Sequence, residues 1–306
     1  MTPQKTVCII LVSWNSKRWL KTILPQLLKT TSQKTKIICI DNASSDGTVT
    51  YLAHYPAVDI VKLSQNTGFA AGCNHGIKHS KQYNPEYICL LNTDVTLPQN
   101  WIAKLLAFIE LHPHASVVGP LVMNYDRSDL SKGTQHLHPG IAKDYQDLRK
   151  IPGIPARPAR FAARRAGGKA PQFRESTPAK LTRVSPNHAS GALKKYYEVE
   201  AIEGCSMLIR TSVFDQIGMF DEAYGPAYFE EMDLERRIRA SGGKIYLVPS
   251  SRIGHFEKGS ALESAVLKQQ YKRNEIYFHL TDPRHSFLQN IINTLKLFRE
   301  HAVQSY

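Results

Sequence analysis

Residues 87–95 read Tyr-Ile-Cys-Leu-Leu-Asn-Thr-Asp-Val, an apolar run that ends abruptly in polar side chains. The apolar part, residues 87–91, is typical of a strand buried on both faces of a parallel sheet covered by helices. In open α/β sheets, ligands bind where the strands end at their carboxyl side. Asp94 at that place suits a divalent cation that would hold phosphate oxygens. The alternative is that Asn92 and Asp94 only form a turn and cap the next helix.

Three earlier apolar runs follow the same pattern, each preceding a segment with helical spacing, at residues 7–13, 36–40 and 58–63. This alternation of strand and helix predicts a parallel, doubly wound sheet. Right-handed crossovers place the strand ends on one edge, so we expect Asp41 and Asp94 to face one crevice. Asp41 is suited to accept a hydrogen bond from a base or a ribose.

Two glycines, Gly68 and Gly72, lie where the third helix is predicted to start. Because glycine has no side chain, the backbone there can approach a phosphate closely. The alternative is that both glycines serve the tight packing of this helix against a strand.

The chain has 306 residues, of which 42% are hydrophobic, and this predicts a packed α/β protein. A formal net charge of +13 predicts a face that attracts anions such as nucleotides, nucleic acid or acidic lipid. No apolar run approaches the roughly 18 residues of a transmembrane helix, and there is no signal-peptide pattern. The five cysteines lack CxxC spacing and are typical of buried thiols in a reducing compartment. We therefore expect a cytoplasmic protein.

A basic, proline-rich insertion is predicted over residues 125–197. Its part between Arg157 and Lys195 contains ten basic residues and one acidic residue, and its prolines prevent long regular elements. Two interpretations stay open: a solvated loop, or a flap over an anionic acceptor such as a diphosphate-linked lipid. Nucleic acid is not an expected partner, because aromatic residues scarcely interleave with the charges.

Residues 199–210 predict one strand with a bend at its glycine. A later helix is predicted to carry four carboxylates within six residues. Like charges held together raise one another's pKa. Glu231, near the start of this helix, could therefore serve as a general base. The alternative is a solvated helix, in which Glu235 pairs with Arg239 one turn later.

Residues 244–249 predict a further strand, and His255 follows it. This histidine can ligate a metal, donate to a phosphate or serve as a structural hydrogen bonder. Residues 281–306 predict a C-terminal amphipathic helix with an apolar stripe made of Phe287, Leu288, Ile291, Ile292, Leu295 and Phe298. We expect this stripe to dock on the core. The alternative is contact with an anionic membrane surface.

Taken in order, six motifs resemble those of the family 2 glycosyltransferases of GT-A fold, particularly the bacterial rhamnosyltransferase-like branch. They are Val-Ser-Trp-Asn (12–15), Asp-Asn-Ala-Ser-Ser-Asp-Gly-Thr (41–48), Asn-Thr-Gly-Phe-Ala-Ala-Gly-Cys-Asn (66–74), Leu-Leu-Asn-Thr-Asp (90–94), Gly-Met-Phe-Asp-Glu (218–222) and Glu-Glu-Met-Asp-Leu (230–234). The resemblance implies a Rossmann-like, mostly parallel sheet flanked by helices. Residues 1–124 would form its nucleotide-sugar-binding half and residues 198–280 its acceptor and catalytic half.

The resemblance also implies which residues bind the nucleotide, with Asp41 on the base. The implied set is Val12, Ser13, Trp14, Asn15, Asp41, Asn66, Gly68, Phe69, Ala70, Asn74, Asn92 and Thr93. Asp94 is implied to bind Mg²⁺ or Mn²⁺ on the diphosphate, with His255 near the metal. The chain departs from the family's Asp-x-Asp pattern, because Asn92 replaces the first acid. The role implied for Asn92 is therefore contact with the ribose.

The catalytic base is implied at Glu231, where the family more commonly has aspartate, and Glu230 and Asp233 are its rivals. The implied reaction moves a sugar, rhamnose being one candidate, from a dTDP- or UDP-sugar to a hydroxyl, with inversion. The acceptor would be a glycan or lipid-linked molecule of cell-surface polysaccharide or lipopolysaccharide synthesis, reached at the anionic inner face of the cell membrane. Alternatives are another donor such as a UDP-hexose, a non-catalytic sugar- or nucleotide-binding relative, and a nucleotidyltransferase.

Overall fold

A computed structural model describes residues 6–30, 34–138, 141–143, 145, 195–256 and 265–303. The four apolar runs form parallel strands in the spatial order β3-β2-β1-β4. These are β1 (Val7–Ser13), β2 (Thr35–Asp41), β3 (Val58–Lys62) and β4 (Tyr87–Leu91). They alternate with α1 (Lys17–Thr30), α2 (Thr48–Leu52) and α3 (Gly68–Ser80). Every side chain of β4 is buried, because helices cover both faces of the sheet.

The second half of the chain extends the same sheet with strands of mixed direction. They are β5 (Val95–Thr96), β6 (Ala115–Asn124), β7 (Tyr197–Val199), β8 (Ser206–Arg210) and β9 (Lys244–His255). Strand β8 is antiparallel to its neighbours β4 and β6, whereas β6 and β9 are parallel. Strands β5 and β7 both pair with β9 in antiparallel fashion. The predicted α/β class with a mostly parallel sheet is confirmed.

Two apolar cores lie on the two faces of this sheet. The remaining helices are α4 (Trp101–Leu111), α5 (Lys132–Leu137), α6 (Thr211–Ile217), α7 (Glu230–Ala240), α8 (Ala265–Leu280) and α9 (Phe287–Val303). One core includes Leu24 of α1 and Leu105 of α4, and the other includes Ile77 of α3 and Leu234 of α7. Among the described residues, no helix is both long enough and apolar enough to cross a bilayer.

Two strand predictions need correction, and both corrections affect the site. The predicted strand 199–210 is two strands, because β7 pairs with β9 while β8 lies between β4 and β6. The residues between them turn at Gly204. Strand β9, in contrast, continues past the predicted end at Pro249. Its pairing with β6 shifts register between Val248 and Arg252 and then resumes, which extends the strand as far as His255.

Most of the predicted insertion lies outside the described residues, as do residues 146–194 entirely. Its described beginning is ordered and contains α5, whose N-cap Ser131 accepts a hydrogen bond from the Thr134 amide at 2.9 Å. The Thr134 hydroxyl oxygen lies 3.0 Å from the Val122 carbonyl oxygen. This part of the chain is therefore attached to the end of β6.

The predicted C-terminal helix is present as α9, but its apolar stripe does not dock on the core. Phe287, Leu288 and Leu295 are 73%, 67% and 62% exposed. Among the described side chains of this helix, residues 287–296, the buried ones are Asn290 and Thr294. The Asn290 amide donates to two carbonyls at the end of α8 and just after it, so the helix is held by its polar side. Phe298 lies outside the described side chains.

Candidate active site

Ser13 and Asp41 lie side by side where β1 and β2 end, paired in register. Asp41 is 2% exposed, and its Oδ2 accepts a hydrogen bond from the Ser44 amide at 3.1 Å. Its Oδ1 and the Ser13 hydroxyl are buried without a hydrogen-bond partner among the described residues. Buried polar atoms are normally paired, so these two suit a ligand with hydrogen-bonding edges, such as a base or a ribose.

The loop after β1 is joined to the loop after β2. Asn15, which has φ 49°, donates its amide to the Ser44 hydroxyl and accepts from the Ser45 amide at 2.8 Å. Trp14, on the loop after β1, is partly buried. The side chain of Val12 faces α3, because a Cβ built on Gly72 would meet it at 2.6 Å. Gly72 therefore serves helix–strand packing, the alternative considered for the glycines.

The start of α3 is engaged by protein groups. The Gly68 amide donates to Asn66 Oδ1 at 2.9 Å, and the Phe69 amide donates to the Pro226 carbonyl at 2.9 Å. Gly68 has φ +83°, and a Cβ there would lie 2.9 Å from the Pro226 backbone. Ala70 is buried. The close approach at this glycine is therefore to the chain itself, at the loop that precedes α7.

Asn74, which the motif resemblance assigned to nucleotide binding, is 3% exposed and lies on α3. Its side chain exchanges hydrogen bonds with the Phe220 backbone at 2.9 and 3.0 Å. It also donates to Glu222 at 2.8 Å. In this structure Asn74 joins α3 to the segment before α7 and does not face the Asp41 edge with a free amide.

The residues after β4 meet the end of β9. Because β5 pairs with β9 so that Val95 lies opposite His255, Asp94 Oδ1 lies 3.4 Å from His255 Nε2. The side-chain nitrogen of Asn92 lies 3.5 Å from the same Nε2, and Thr93 is buried. An oxygen and an imidazole nitrogen this close are donors that Mn²⁺, Zn²⁺ and similar divalent cations accept, so Asp94 and His255 fit the predicted cation site.

A second carboxylate near His255, that of Glu203, lies on the Nδ1 side of the imidazole and was missed by the sequence analysis. Its Oε2 is 3.9 Å from His255 Nδ1. The ligating atoms of Glu203, Cys205 and His255 all lie within 4.8 Å of one another. Burial raises the pKa of the Cys205 thiol to about 11. Burial also opposes charge on His255, but Cys205, Asp94 and Glu203 favour it, and the balance raises its pKa well above the ordinary value.

The acidic helix α7 begins with two carboxylates that differ in their surroundings. Glu230 is 5% exposed with an unpartnered Oε2, and burial together with the charge of Glu231 raises its pKa well above the ordinary value. Glu231 is partly buried and lies against the turn before β8, since a Cβ on Gly204 would meet it at 3.1 Å. Burial and the charge of Glu203 raise the pKa of Glu231. Glu231 therefore faces the His255 region.

The other two acids of α7 are engaged in structural contacts. Asp233 forms ion pairs with Arg236 and Arg237, each at 2.7 Å. Glu235 accepts from the Ile202 amide at 2.8 Å. The alternative of a solvated helix in which Glu235 pairs with Arg239 does not describe this side chain. Glu235 is fully buried, and its Oε2 has no hydrogen-bond partner among the described residues. Arg239 pairs instead with Glu200 at 3.3 Å.

The loop that leads into α7 has unusual backbone geometry and is held by α8. Tyr228 and Phe229 have φ values of 81° and 74°, a region that side-chain-bearing residues rarely adopt. Asn274 of α8 is fully buried, and its two amide N–H groups are shared among the carbonyls of Tyr224, Ala227 and Tyr228, with N···O distances of 2.7 to 3.0 Å. Such strain clusters at functional sites, and here it sets the direction in which α7 begins.

Comparison with known proteins assigns a family to this geometry. The model of glycosyl transferase family 2 matches residues 8–218, more than half of the chain. The N-acetylglucosaminyl-diphospho-decaprenol L-rhamnosyltransferase of Mycobacterium tuberculosis is 24% identical over 287 residues, covering 91% of this chain and 84% of that enzyme.

Solved structures agree on the fold. GalNAc-T7 with UDP, GalNAc and Mn²⁺ superposes with a TM-score of 0.56 at 17% identity, covering 94% of this chain and 52% of that one. The mannosyltransferase PcManGT of Pyrobaculum calidifontis with GDP-Man and Mn²⁺ gives 0.53 at 12% identity, covering 99% and 76%. With its mostly parallel sheet and the strand-end residues described above, this chain belongs to glycosyl transferase family 2 and has the GT-A fold.

Proposed function

We propose that the protein transfers a sugar from a nucleoside diphosphate sugar to an acceptor hydroxyl, with inversion and with a divalent cation. The observation that carries this proposal is the direction of Glu231, which has a raised pKa and lies against the 203–204 turn beside His255 and Asp94. A base and a pair of cation ligands at one strand-end crevice are what a displacement at a diphosphate-linked carbon requires. The unpartnered atoms of Ser13 and Asp41 support a nucleotide at the same edge.

Among the three acids at the start of α7, Glu231 is the best candidate for the base. Asp233 is held by two arginines, so accepting a proton would break two ion pairs. Glu230 is buried, and its pKa is raised well above the ordinary value. Its protonated form is therefore favoured, and a protonated carboxyl cannot take up the acceptor's proton. Glu231 combines partial exposure with a raised pKa, the combination that suits proton transfer near neutral pH.

The proposed mechanism is a single displacement. Asp41 and Ser13 orient the nucleoside, and Asn92 contacts the ribose. Asp94 and His255 would hold Mg²⁺ or Mn²⁺, which when bound offsets charge on the departing diphosphate as a Lewis acid. Glu231 removes the proton from the acceptor hydroxyl as it attacks the anomeric carbon from the opposite face. No covalent sugar–enzyme intermediate is required, and the product has inverted configuration.

For the donor and the acceptor, we propose rhamnose from a dTDP-sugar and a lipid-linked glycan of cell-surface polysaccharide synthesis. This rests on the mycobacterial relative, whose name specifies L-rhamnose and a diphospho-decaprenol acceptor. The exposed apolar stripe of α9 supports contact with the membrane in which such a lipid lies. The five buried free thiols support a cytoplasmic setting. Another donor, such as a UDP-hexose, is the alternative.

A donor panel tests the proposal. Binding and slow hydrolysis of dTDP-rhamnose, UDP-glucose, UDP-N-acetylglucosamine and GDP-mannose would be measured with Mn²⁺ and with EDTA. The variants are Asp94→Asn and, as a matched control, Asp215→Asn, which changes an exposed acid of α6. We expect one preferred donor whose turnover needs the cation and is lost only in Asp94→Asn. If no nucleotide sugar binds under either condition, the protein is a non-catalytic relative and the proposal fails.

A further inference from the structure

Glu203 is held in a fixed orientation by residues that precede it by about 70 positions in the chain. Its Oε1 accepts hydrogen bonds from the hydroxyls of Ser131 and Thr134, the latter at 2.6 Å. Gly133 lies against the same carboxylate, and a Cβ there would come within 2.6 Å of Glu203 Cδ. The start of α5 therefore contacts this carboxylate closely and holds its Oε1.

The second oxygen of Glu203 faces the imidazole of His255. Oε2 lies 3.9 Å from Nδ1, which is buried and has no hydrogen-bond partner among the described residues. The other ring nitrogen, Nε2, lies 3.4 Å from Asp94 Oδ1. The imidazole therefore stands between two carboxylates, and each of its nitrogens faces one of them.

This arrangement matches a general feature of metal-binding histidines. A histidine that ligates a metal through one nitrogen usually donates the N–H of the other to a carboxylate, which fixes the tautomer and the ring orientation. For a hydrogen bond from Nδ1 to Oε2, the distance between these two atoms must shorten by about 1 Å, to ~3 Å. Because Oε1 of Glu203 is already held, we attribute this change to a small rotation of the His255 ring.

We propose that Glu203 is the positioning residue of the cation site. It accepts the Nδ1–H of His255 and thereby directs the Nε2 lone pair towards the cation that Asp94 would bind. The inference rests on the proposed cation at Asp94 and His255 and assigns a new residue to it. Glu203 itself does not touch the cation. Its effect is on how tightly the site holds the ion and not on the transfer of the acceptor proton.

The test is Mn²⁺ affinity, measured from the electron paramagnetic resonance signal of free Mn²⁺ without any donor present. Loss of such outer carboxylates typically weakens metal binding by about 10- to 100-fold, which we expect for Glu203→Ala. Glu203→Gln keeps an oxygen that can accept from Nδ1–H, so a loss of less than about tenfold is expected. Glu200→Gln is the matched control, since this nearby carboxylate pairs with Arg239 outside the site, and its affinity should equal that of the wild type.

A second variant displaces Glu203 without removing it. In Gly133→Ala, the new methyl group would overlap Cδ and Oε2 of Glu203, whereas alanine itself favours the helical backbone. We expect this variant to fold and to bind Mn²⁺ several-fold more weakly. Wild-type affinity in both Glu203→Ala and Gly133→Ala would overturn the inference. An equal loss in Glu203→Gln and Glu203→Ala would also overturn it, because that result points to direct ligation.

Failure of this inference can be separated from failure of the proposed function. If Asp94→Asn loses Mn²⁺ and the Glu203 variants do not, the cation site stands and only the role of Glu203 is rejected. If wild type and Asp94→Asn bind Mn²⁺ equally, the proposed cation site is itself rejected.

Discussion

Replacing Asn274 with alanine tests whether α8 holds the loop that directs α7 towards the site. The two N–H groups of the Asn274 amide are shared among three carbonyls, those of Tyr224, Ala227 and Tyr228. The side chain is fully buried, so water cannot replace these bonds without a rearrangement. Asn274→Ala therefore leaves several polar groups unpaired inside the protein.

The expected magnitude follows from the number of bonds. The amide nitrogen has two hydrogens, which the three carbonyls share. Each buried hydrogen bond contributes about 1 kcal/mol net, so the loss of two lowers the free energy of unfolding by about 2 kcal/mol. In a chain of this size, about 2 °C of melting temperature is lost per kcal/mol, which predicts a decrease of about 4 °C. Without Asn274 the loop is no longer held at these carbonyls, and Glu231, which follows it, can move.

The assays are thermal unfolding and transfer to an acceptor at saturating donor. A displacement of about 1 Å can cost about 100-fold in turnover, so we expect kcat to fall by at least tenfold while donor affinity stays within about twofold. Gln289→Ala is the control, because within the described part of the chain its side chain bonds to Asn293 of the same helix α9. A melting temperature within 1 °C of the wild type, or unchanged kcat, would refute the reasoning for Asn274.

Three further predictions concern single carboxylates. Glu231→Gln should lower kcat by about 10²- to 10⁴-fold, while nucleotide affinity measured by calorimetry stays unchanged. In the wild type, activity should fall as the pH drops through the pKa of Glu231, which is raised above the ordinary 4.5. Asp41→Asn should weaken nucleotide binding by about tenfold, the loss of one hydrogen bond to a charged group. Because burial raises the pKa of Glu235, the folded state binds its proton more tightly than the unfolded state, and stability declines as pH rises. Glu235→Gln should therefore raise the melting temperature at pH 8 and change it little at pH 5.

The donor half of the fold could be predicted from the sequence because its determinants are local. Each of the four parallel strands is an apolar run that ends in polar residues, and this pattern placed Asp41 and Asp94 correctly at strand ends. The β4–β8 and β6–β8 pairings are antiparallel, and no local pattern states which distant strand will be a neighbour. The proposed cation site depends on such a pairing, that of β5 with β9.

Glu203 was missed for the same reason. Read alone, the segment around it resembles one strand with a bend, and only the separation of β7 from β8 turns its side chain towards His255. The residues that hold it, Ser131 and Thr134, belong to a segment interpreted as an insertion. The one available signal was a carboxylate directly before a glycine inside an apolar run. A charge buried at such a position is costly unless it is paired or hydrogen-bonded.

The charges around His255 support the proposal that a cation and a base share one site. Asp94 and Glu203 lie 3.4 and 3.9 Å from the imidazole, and Glu231 is close enough for Glu203 to raise its pKa. An imidazole that ligates a cation must be neutral, so a bound divalent cation would replace the single positive charge of a protonated His255 by two. That added positive charge would lower the pKa of Glu231. The ion that stabilises the departing diphosphate would then also keep the base ready to accept a proton, which couples activation of the acceptor to occupancy of the cation site.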